Sequence, residues 1–358
     1  MSNNQIERIY FCPLAKKPVV LNVTHLTNQT ILNEMTLKIF IDFSVAPDIL
    51  ELLKEGTSGH QLIFSKTPAT SVLVKAKWDP QLETVDIFFG QPDPKTVGKA
   101  GQLKWIHIST SSITRYDNPE FRDLVSKRNI AVSNSASVYN EACAVHTMSF
   151  ILAQARQLPL GLNTHSGIGS ETWYNLRNAC VSLQDQTVLI LGYGAIGKRL
   201  SELLRPFNMK VIAYRRKVRG DEGVQVITGN KLDHALSQEA DHIVNILPES
   251  AETQHFFDAN RFAAIKPGAV FYNIGRGTTV NQDALLDALR SGRLKAAWLD
   301  VTDPEPLPGN HPLLTEPNCF ITPHVAGGHL DEAKTLVHHF LRNFKRFVRA
   351  EPLNDQVM

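Results

Sequence analysis

The sequence has little of what marks several large classes of protein. Its four cysteines lie far apart, and no CxxC or other close pair suggests a zinc site or a redox motif. We therefore expect reduced, buried thiols, as is usual in a cytoplasmic protein. No apolar run approaches the roughly 18 residues that a membrane-spanning helix needs, and the N-terminal segment carries Glu7, Arg8, Lys16 and Lys17 where a signal peptide is apolar. These absences predict a soluble, intracellular protein with no membrane partner.

An excess of charge of either sign is also lacking. The chain has 37 Lys and Arg residues against 35 Asp and Glu residues, so a strongly basic surface for nucleic acid is not expected. Hydrophobic residues make up 43% of the chain, which excludes a disordered or fibrous protein. At about 150 residues per domain, the 358 residues predict about two domains, each large enough to bury a core.

Short apolar runs alternate with helical patterns from residue 37 onward. Strands are predicted near 37–42, 61–64, 85–89, 104–109, 130–132, 187–191, 210–214, 224–227, 242–247, 269–273, 295–299 and 319–322. Helices are predicted near 47–54, 117–127, 139–156, 195–206, 231–239, 258–264, 281–290 and 330–348. This alternation is typical of the α/β class, and the second series indicates a doubly wound parallel sheet. Residues 1–35 show no sustained period and are predicted to be a tail.

A glycine motif follows the strand at 187–191 directly and opens a helix. Gly192, Gly194 and Gly197 form the GxGxxG pattern, in which the first glycine permits a tight turn. The second lets the backbone approach a pyrophosphate, and the third allows close packing of helix on strand. The alternative is a glycine-rich structural turn, but the position between a strand and a helix favours a dinucleotide site.

Two arginines follow the next strand, at the position where an NAD site usually has a carboxylate for the ribose hydroxyls. Arg215 and Arg216 suit the 2′-phosphate of NADP instead, because a guanidinium makes charge-assisted hydrogen bonds to phosphate. Two alternatives stay open. A strand end that enters solvent is often charged, and Asp221 or Glu222 could fold back to the ribose of NAD.

Three further residues lie just after predicted strands. Arg276 stands in Asn273-Ile-Gly-Arg-Gly277, Glu305 in Asp300-Val-Thr-Asp-Pro-Glu-Pro306 and His324 in Thr322-Pro-His-Val-Ala-Gly-Gly328. The carboxyl ends of parallel strands border the ligand crevice, so we expect the three to converge there. An arginine can bind a carboxylate with two hydrogen bonds, and its flanking glycines are expected to leave room for a ligand. A histidine paired with a carboxylate suits proton transfer near neutral pH.

The order GxGxxG, NIGRG, DVTDPEP and TPHVAGG resembles the D-isomer-specific 2-hydroxyacid dehydrogenases, which include phosphoglycerate, glyoxylate/hydroxypyruvate and D-lactate dehydrogenases. The resemblance covers nearly all of residues 36–358. It implies that Arg276 binds the substrate carboxylate, that His324 is the proton donor or acceptor, and that Glu305 pairs with His324. It also implies a homodimer with the helix at 139–156 in its interface.

The same resemblance assigns the remaining site residues. It places Asp300 at the nicotinamide carboxamide, Gly194, Ala195 and Ile196 at the pyrophosphate, and Gly90, Gln91 and residues 109–112 in the substrate loops. The sequence departs from the pattern at the Arg215-Arg216 pair, where NAD-using members have Asp, and at Val145, where many relatives have Glu before His. The first 35 residues match nothing in the family, so Met35 is a candidate functional start.

We therefore expect a Rossmann cofactor domain, residues 136–325, inserted in a smaller flavodoxin-like substrate domain made of residues 36–135 and 326–358. The predicted activity is hydride transfer between NADP(H), with NAD as the alternative cofactor, and a small 2-keto or D-2-hydroxy acid. No HxH, HExxH or carboxylate-spaced set suggests a metal.

A rival function is a nucleotide-sensing corepressor or scaffold, because a relative with this fold and these three residues serves as a corepressor. The lack of a basic or Pro/Ser-rich C-terminal appendage speaks against it. A hydrolase that uses bound nicotinamide internally is a weaker rival. Among substrates, the neutral or apolar loops at 88–92 and 109–113 favour a small uncharged tail over a phosphorylated one, while Arg115 nearby opposes this.

Overall fold

The computed structural model describes residues 36–69, 77–220 and 222–358, which form two parallel sheets covered by helices. The α/β class and the doubly wound sheet predicted from the sequence are confirmed. The tail predicted for residues 1–35 and the alternative role of Asp221 lie outside the described residues.

The first sheet has five strands in the order β2-β1-β3-β4-β5, the flavodoxin-like order. Its strands are β1 (Lys38–Phe43), β2 (Gln61–Ala69), β3 (Ile87–Gly90), β4 (Trp105–Ile108) and β5 (Ala131–Ser133). Helix α1 (Pro47–Gly56) follows β1, and α2 (Pro119–Lys127) precedes β5. Proline opens both helices, and the side chain of Asn118 caps α2. Every pair of neighbouring strands in this sheet is parallel, so the carboxyl ends of all five strands lie at the same edge.

Three helices separate the two sheets. They are α3 (Ala136–Ala155), α4 (Leu158–Leu162) and α5 (Glu171–Ala179). Helix α3 begins three residues before the predicted start, and α4 and α5 were not predicted. The signal for α5 was Ser170, whose hydroxyl accepts a hydrogen bond from the N–H of Trp173 as an N-cap.

The second sheet has seven strands in the order β12-β11-β10-β9-β6-β7-β8, a Rossmann order extended by one strand. Its strands are β6 (Thr187–Leu191), β7 (Lys210–Tyr214), β8 (Gln225–Ile227), β9 (His242–Asn245), β10 (Ala269–Asn273), β11 (Leu294–Leu299) and β12 (Cys319–Ile321). The helices are α6 (Ala195–Leu204), α7 (Lys231–His234, continued by a π turn to Glu239), α8 (Ala259–Ala264) and α9 (Gln282–Arg290). The order reverses between β6 and β9, which places the ligand crevice at their carboxyl ends.

The last helix, α10 (Glu332–Val348), returns to the first sheet. The ring of Phe340 stacks on Phe89 at 4.3 Å and on Trp105 at 5.3 Å between ring centroids. Buried aromatic stacking of this kind holds the end of the chain against β3 and β4. The chain therefore crosses between the sheets twice, before α3 and before α10.

The structure also bears on the cysteines, on membrane-spanning helices and on metal-binding groups. Cys143 is buried, Cys180 and Cys319 are half-buried, and Cys12 lies outside the described residues, so burial holds for only part of the cysteines. Within the described ranges, no helix combines the length and the apolar character that crossing a bilayer requires. In the same ranges, no group of three or more His, Cys, Asp and Glu side chains is arranged to hold a metal ion.

Candidate active site

The turn between β6 and α6 contains the three glycines of the GxGxxG motif. Gly192 has a φ of +93°, and a Cβ there would lie 2.6 Å from the carbonyl oxygen of Ile246. A Cβ on Gly197 would lie 2.9 Å from the carbonyl oxygen of Gly192, so the helix packs closely on the turn. A Cβ on Gly194 would meet no atom within 4 Å. Open space therefore lies over the middle of the turn. At the other two positions neighbouring backbone atoms leave no room for a side chain, so only glycine fits there.

This open space adjoins the N-terminus of a helix of ten residues. The N–H of Lys198 donates to the carbonyl oxygen of Gly194 at 2.9 Å. The N–H groups of Ala195, Ile196 and Gly197 come earlier in the helix, where no intrahelical acceptor exists. Unpartnered N–H groups and the positive end of the helix dipole favour an anion. The turn thus fits the pyrophosphate of a dinucleotide cofactor.

Arg215 follows β7 directly and is held by Glu222. Its Nη1 atom lies 2.9 Å from Oε1 of Glu222, and the two side chains are 17% and 4% exposed. The backbone N–H groups of Arg219 and Gly220 also donate to this carboxylate, at 2.7 and 2.8 Å. These bonds, led by that of Arg219, lower the pKa of Glu222. The carboxylate is thus committed to its own loop, where it neutralises Arg215.

Arg216, the next residue, is far more exposed. Its side chain is 84% exposed, and its Nη1 atom lies 3.1 Å from Oε2 of Glu252, which is 74% exposed. Glu252 belongs to the loop after β9, so the ion pair spans the carboxyl edge of the sheet over β6. Ion pairs this exposed are weak. The Arg216 guanidinium can therefore exchange Glu252 for another anion at modest cost.

Arg276 lies just after β10, between two glycines that have tight surroundings. A Cβ on Gly275 would lie 2.7 Å from the carbonyl oxygen of Leu247, and one on Gly277 would lie 1.9 Å from that of Thr302. The expectation that these glycines leave room for a ligand is therefore wrong. They make room for the backbone of the neighbouring loops, because the loops after β9 and β11 press against this turn.

The Arg276 guanidinium is half-buried in the crevice. Its Nη1 atom donates to the carbonyl oxygen of Gly275 at 2.6 Å, which fixes the direction of the side chain. Burial lowers the pKa of Arg276, and the carboxylates of Glu249 and Glu305 raise it again. The guanidinium thus lies within electrostatic reach of Glu305, with N–H donors still free for an anionic ligand.

His324 forms a close pair with Glu305. The Nδ1 atom of His324 lies 2.6 Å from Oε1 of Glu305, and both side chains are about two-fifths exposed, at 38% and 40%. A carboxylate accepts a hydrogen bond from Nδ1–H, so Nε2 is left as the nitrogen that can exchange a proton with a ligand. The structure therefore brings Arg276, Glu305 and His324 together, as the strand-end argument predicted.

Asp300 holds the loop that carries His324. Its Oδ1 atom accepts hydrogen bonds from Oγ1 of Thr322 at 2.6 Å and from the N–H of Val325 at 2.9 Å. Its Oδ2 atom accepts from the N–H of Ala326 at 2.9 Å, and the residue is 2% exposed. These bonds flank His324, whose φ of +52° is costly for a residue other than glycine. Asp300 therefore stabilises the backbone conformation that presents the imidazole.

Gly90 is the last residue of β3 on the first sheet, and Gln91 follows it; both lie next to the buried carboxyl group of Asp42. Gly90 has a φ of +145°, and a Cβ there would lie 1.7 Å from Oδ1 of Asp42. The N–H of Gln91 donates to Oδ2 of Asp42 at 2.8 Å. Burial raises the pKa of Asp42 to about 7, although the bond from Gln91 lowers it. Asp42 thus fixes the backbone of the loop that the resemblance assigns to the substrate.

Sequence reasoning missed three residues of this region, Asp42, His146 and Glu252. Asp42 is the penultimate residue of the apolar strand β1, and its position near a carboxyl edge was a signal that could have identified it. His146 lies on α3, and its Nε2 atom is 3.3 Å from Oγ1 of Thr322 and 3.6 Å from Oδ1 of Asp300. Burial lowers the pKa of His146, and Asp300 opposes this. Nothing in the sequence linked His146 or Glu252 to the crevice, because both meet their partners only across the fold.

Comparison with known proteins agrees with this geometry. Residues 148–326 match the family model described as D-isomer specific 2-hydroxyacid dehydrogenase, NAD binding domain. The chain is 34% identical over 236 residues to the glyoxylate reductase/hydroxypyruvate reductase of Homo sapiens, covering 66% of this chain and 72% of that protein. It is 29% identical over 297 residues to the glyoxylate reductase of Aeropyrum pernix, covering 81% of this chain and 86% of that protein.

A solved structure shows the same overall arrangement. It is a D-isomer specific 2-hydroxyacid dehydrogenase family protein from Aeromonas salmonicida, which superposes with a TM-score of 0.70 at 27% identity. The match covers 90% of this chain and 99% of that one. The chain therefore belongs to the D-isomer specific 2-hydroxyacid dehydrogenase family and is an NAD(P)-dependent 2-hydroxyacid dehydrogenase.

Proposed function

We propose that this protein reduces a 2-keto acid to the D-2-hydroxy acid, with NADPH as the reductant. The observation that carries the proposal is the pair formed by Glu305 and His324 at 2.6 Å, within electrostatic reach of Arg276. This combination offers a proton donor and a carboxylate anchor in one crevice. The glycine turn and the N-terminus of α6 lie at the carboxyl edge of the same sheet.

In this mechanism Arg276 binds the substrate carboxylate, and the bond from its Nη1 atom to Gly275 orients the remaining N–H groups. Glu305 accepts a hydrogen bond from the Nδ1–H of His324 and, as a carboxylate, stabilises the imidazolium. His324 then donates the proton on Nε2 to the carbonyl oxygen of the substrate. A bound nicotinamide cofactor supplies the hydride. After the reaction, the neutral imidazole regains a proton from solvent, for which its partial exposure provides access.

Asp300 takes a positioning role in this proposal. The resemblance assigns it to the nicotinamide carboxamide, yet both of its oxygens accept hydrogen bonds from the loop around His324. A buried carboxylate with these partners holds the loop and thereby the direction of the imidazole. Any contact between Asp300 and the cofactor would be made in addition to these bonds.

We further propose that NADPH is preferred over NADH and that Arg216 carries this preference. The Glu222 carboxylate neutralises Arg215 and is itself occupied, so it is not available to the ribose hydroxyls of NAD. Arg216 is exposed at the crevice, and among the described residues its ion-pair partner is the exposed Glu252. A guanidinium in this position suits the 2′-phosphate of NADP, for which Glu252 would compete.

The two-domain division and the homodimer stay part of the proposal. The two sheets and the return of α10 to the first sheet support domains made of residues 36–135 with 326–358 and of residues 136–325.

Large apolar side chains on and after α3 support a homodimer interface at this helix. They are Val145, Leu158, Leu160, Leu162 and Ile168, whose exposed fractions run from 45% to 90%. Light scattering coupled to gel filtration would detect the dimer.

The proposed activity is tested by following NADPH oxidation with a series of 2-keto acids, with NADH in parallel. Oxidation that depends on the keto acid, with a D-2-hydroxy acid as product, would support the proposal. A protein that binds NADPH without oxidising it in the presence of any 2-keto acid would favour the nucleotide-sensing alternative.

A further inference from the structure

Arg115 lies on the carboxyl edge of the first sheet, opposite the site described above. It belongs to the short 3-10 turn Thr114–Tyr116 that follows β4, and its Nη1 atom donates to Oε1 of Gln91 at 3.2 Å. Gln91 is the residue directly after β3. The guanidinium therefore lies over the edge where β3 and β4 end, which is the edge that borders a crevice in parallel sheets.

The side-chain amide of Gln91 is held rigidly and gives Arg115 a fixed partner. Its Nε2 atom donates to Oγ of Ser109 at 3.1 Å and to Oγ1 of Thr110 at 2.9 Å. Its Oε1 atom also accepts from the hydroxyl of Tyr116 at 3.2 Å, and Gln91 is only 3% exposed. A buried amide with all of these partners cannot rotate without losing several bonds. It therefore positions one N–H of the guanidinium and leaves the others available.

The charge of Arg115 is not neutralised within the part of the chain that the structure describes. Arg115 is exposed, and no described carboxylate lies within 4.0 Å of it, whereas nearby Arg122 pairs with Asp117 at 2.7 Å. The hydroxyls of Ser112 and Thr114 lie beside it in the same loop and bond to each other at 3.0 Å. A guanidinium beside hydroxyl groups, without a carboxylate, is a favourable environment for an anion.

The Arg115 loop and Arg276 face the same cleft. Oγ1 of Thr114 donates to the carbonyl oxygen of Glu249 at 3.4 Å, so the loop after β4 touches the loop after β9. Glu249 in turn lies close enough to Arg276 to act on its charge. The loop of Arg115, on the first sheet, therefore contacts the loop whose Glu249 carboxylate acts on Arg276, on the second sheet.

We propose that Arg115 binds a second anionic group, so that the substrates are 2-keto acids whose tail carries a carboxylate or a phosphate. This inference rests on the proposed function, in which Arg276 binds the carboxylate next to the reacting carbonyl. It replaces the expectation of a small uncharged tail, which rested on the neutral residues of the loops and not on the position of Arg115.

The experiment compares kcat/KM for the NADPH-dependent reduction of three classes of 2-keto acid. Pyruvate and glyoxylate have no second charged group. Oxaloacetate and 2-oxoglutarate have a second carboxylate, and phosphohydroxypyruvate has a phosphate. The wild type is expected to use one of the charged-tail classes at least ten-fold better than pyruvate. Arg115→Ala should reduce that ratio by ten-fold or more, mainly through KM, and Arg115→Lys should restore part of it.

Arg122→Ala is the matched control, since it removes an exposed arginine of α2, seven residues from Arg115, that already has a partner. It should leave the ratio between the substrate classes unchanged, and melting temperatures would show that all variants fold. Preference of the wild type for pyruvate or glyoxylate, or an equal loss on all substrates in Arg115→Ala, would overturn the inference while leaving the proposed function intact. Failure to reduce any of the keto acids would overturn both.

Discussion

The Nδ1 atom of His324 lies 2.6 Å from Oε1 of Glu305, and the backbone N–H of the same histidine donates to the carbonyl oxygen of Asp300 at 2.9 Å. The imidazole is therefore fixed from two sides, by a carboxylate on its ring and by a hydrogen bond on its backbone. Its remaining nitrogen, Nε2, is not used in the pair with Glu305.

Replacing His324 with Ala is expected to lower kcat by about 10²- to 10⁴-fold, the usual effect of removing a positioned general acid. Cofactor affinity should change little, because the glycine turn and Arg216 lie elsewhere on the sheet edge. Steady-state kinetics and a fluorescence titration with NADPH measure the two quantities. His338→Ala, an exposed histidine on α10, is the control and should retain full activity. Wild-type turnover in His324→Ala would remove this residue from the mechanism.

Replacing Gly277 with Ala should destabilise the protein, because the new Cβ would lie 1.9 Å from the carbonyl oxygen of Thr302. Strain of this size is expected to cost about 1 to 3 kcal/mol, like overpacking elsewhere in a core, and to displace Arg276. Gly309→Ala is the matched control, since a Cβ there meets no atom within 4 Å. Chemical denaturation and the KM for the keto acid check the prediction. Equal stability of the two variants would contradict the crowding described for this turn.

The cofactor preference should respond differently to the two neighbouring arginines. Arg216→Ala is expected to lower the preference for NADPH over NADH by about 10-fold or more, since it removes a charge-assisted bond to the 2′-phosphate. Glu252→Gln should strengthen NADPH binding, because it removes the competing carboxylate. Specificity constants for both cofactors measure these changes. A wild type that prefers NADH would contradict the proposal. So would an Arg216→Ala variant in which the ratio of the specificity constants for NADPH and NADH is unchanged.

Arg215→Ala should act mainly through stability. It leaves the Glu222 carboxylate, 4% exposed, without the guanidinium that neutralises it. Removing one partner of a buried pair is more damaging than removing both. The double variant Arg215→Ala, Glu222→Gln is therefore expected to melt at a higher temperature than Arg215→Ala alone. A loss of NADPH preference in Arg215→Ala with unchanged melting would instead show that Arg215 contacts the cofactor.

Asp42 predicts a pH dependence of stability. Burial raises its pKa in the folded state from 3.8 to about 7, so the folded protein binds a proton that the unfolded chain releases between those values. The stabilisation from this group is complete below pH 4 and is lost as the pH rises through 7. Between pH 5 and pH 8 the loss amounts to roughly 3 kcal/mol. Asp42→Asn should remove that part of the pH dependence in urea denaturation. Parallel curves for the two proteins would show that Asp42 does not titrate in this range.

Much of the fold followed from the sequence because its signals are local. The apolar strands, the helix starts at Asn118 and Asn281 and the glycine turn at 192–197 depend on neighbours within a few residues. The strand-end rule even placed Arg276, Glu305 and His324 in one crevice. It succeeded because every parallel strand delivers the residue after it to the same edge.

What the sequence by itself determined is therefore the α/β class, the family and the set of residues at the sheet edges. Only the tertiary structure decided which of those residues form hydrogen bonds or ion pairs with other parts of the protein. Gln91 meets Asp42 over a separation of 49 residues, and Thr114 meets Glu249 over 135. Asp300 turned out to hold the loop of His324, and Gly275 and Gly277 to accommodate neighbouring backbone rather than a ligand. The physical reason is that charge pairing, burial and crowding depend on distances in space, and residue type and spacing along the chain do not specify those distances.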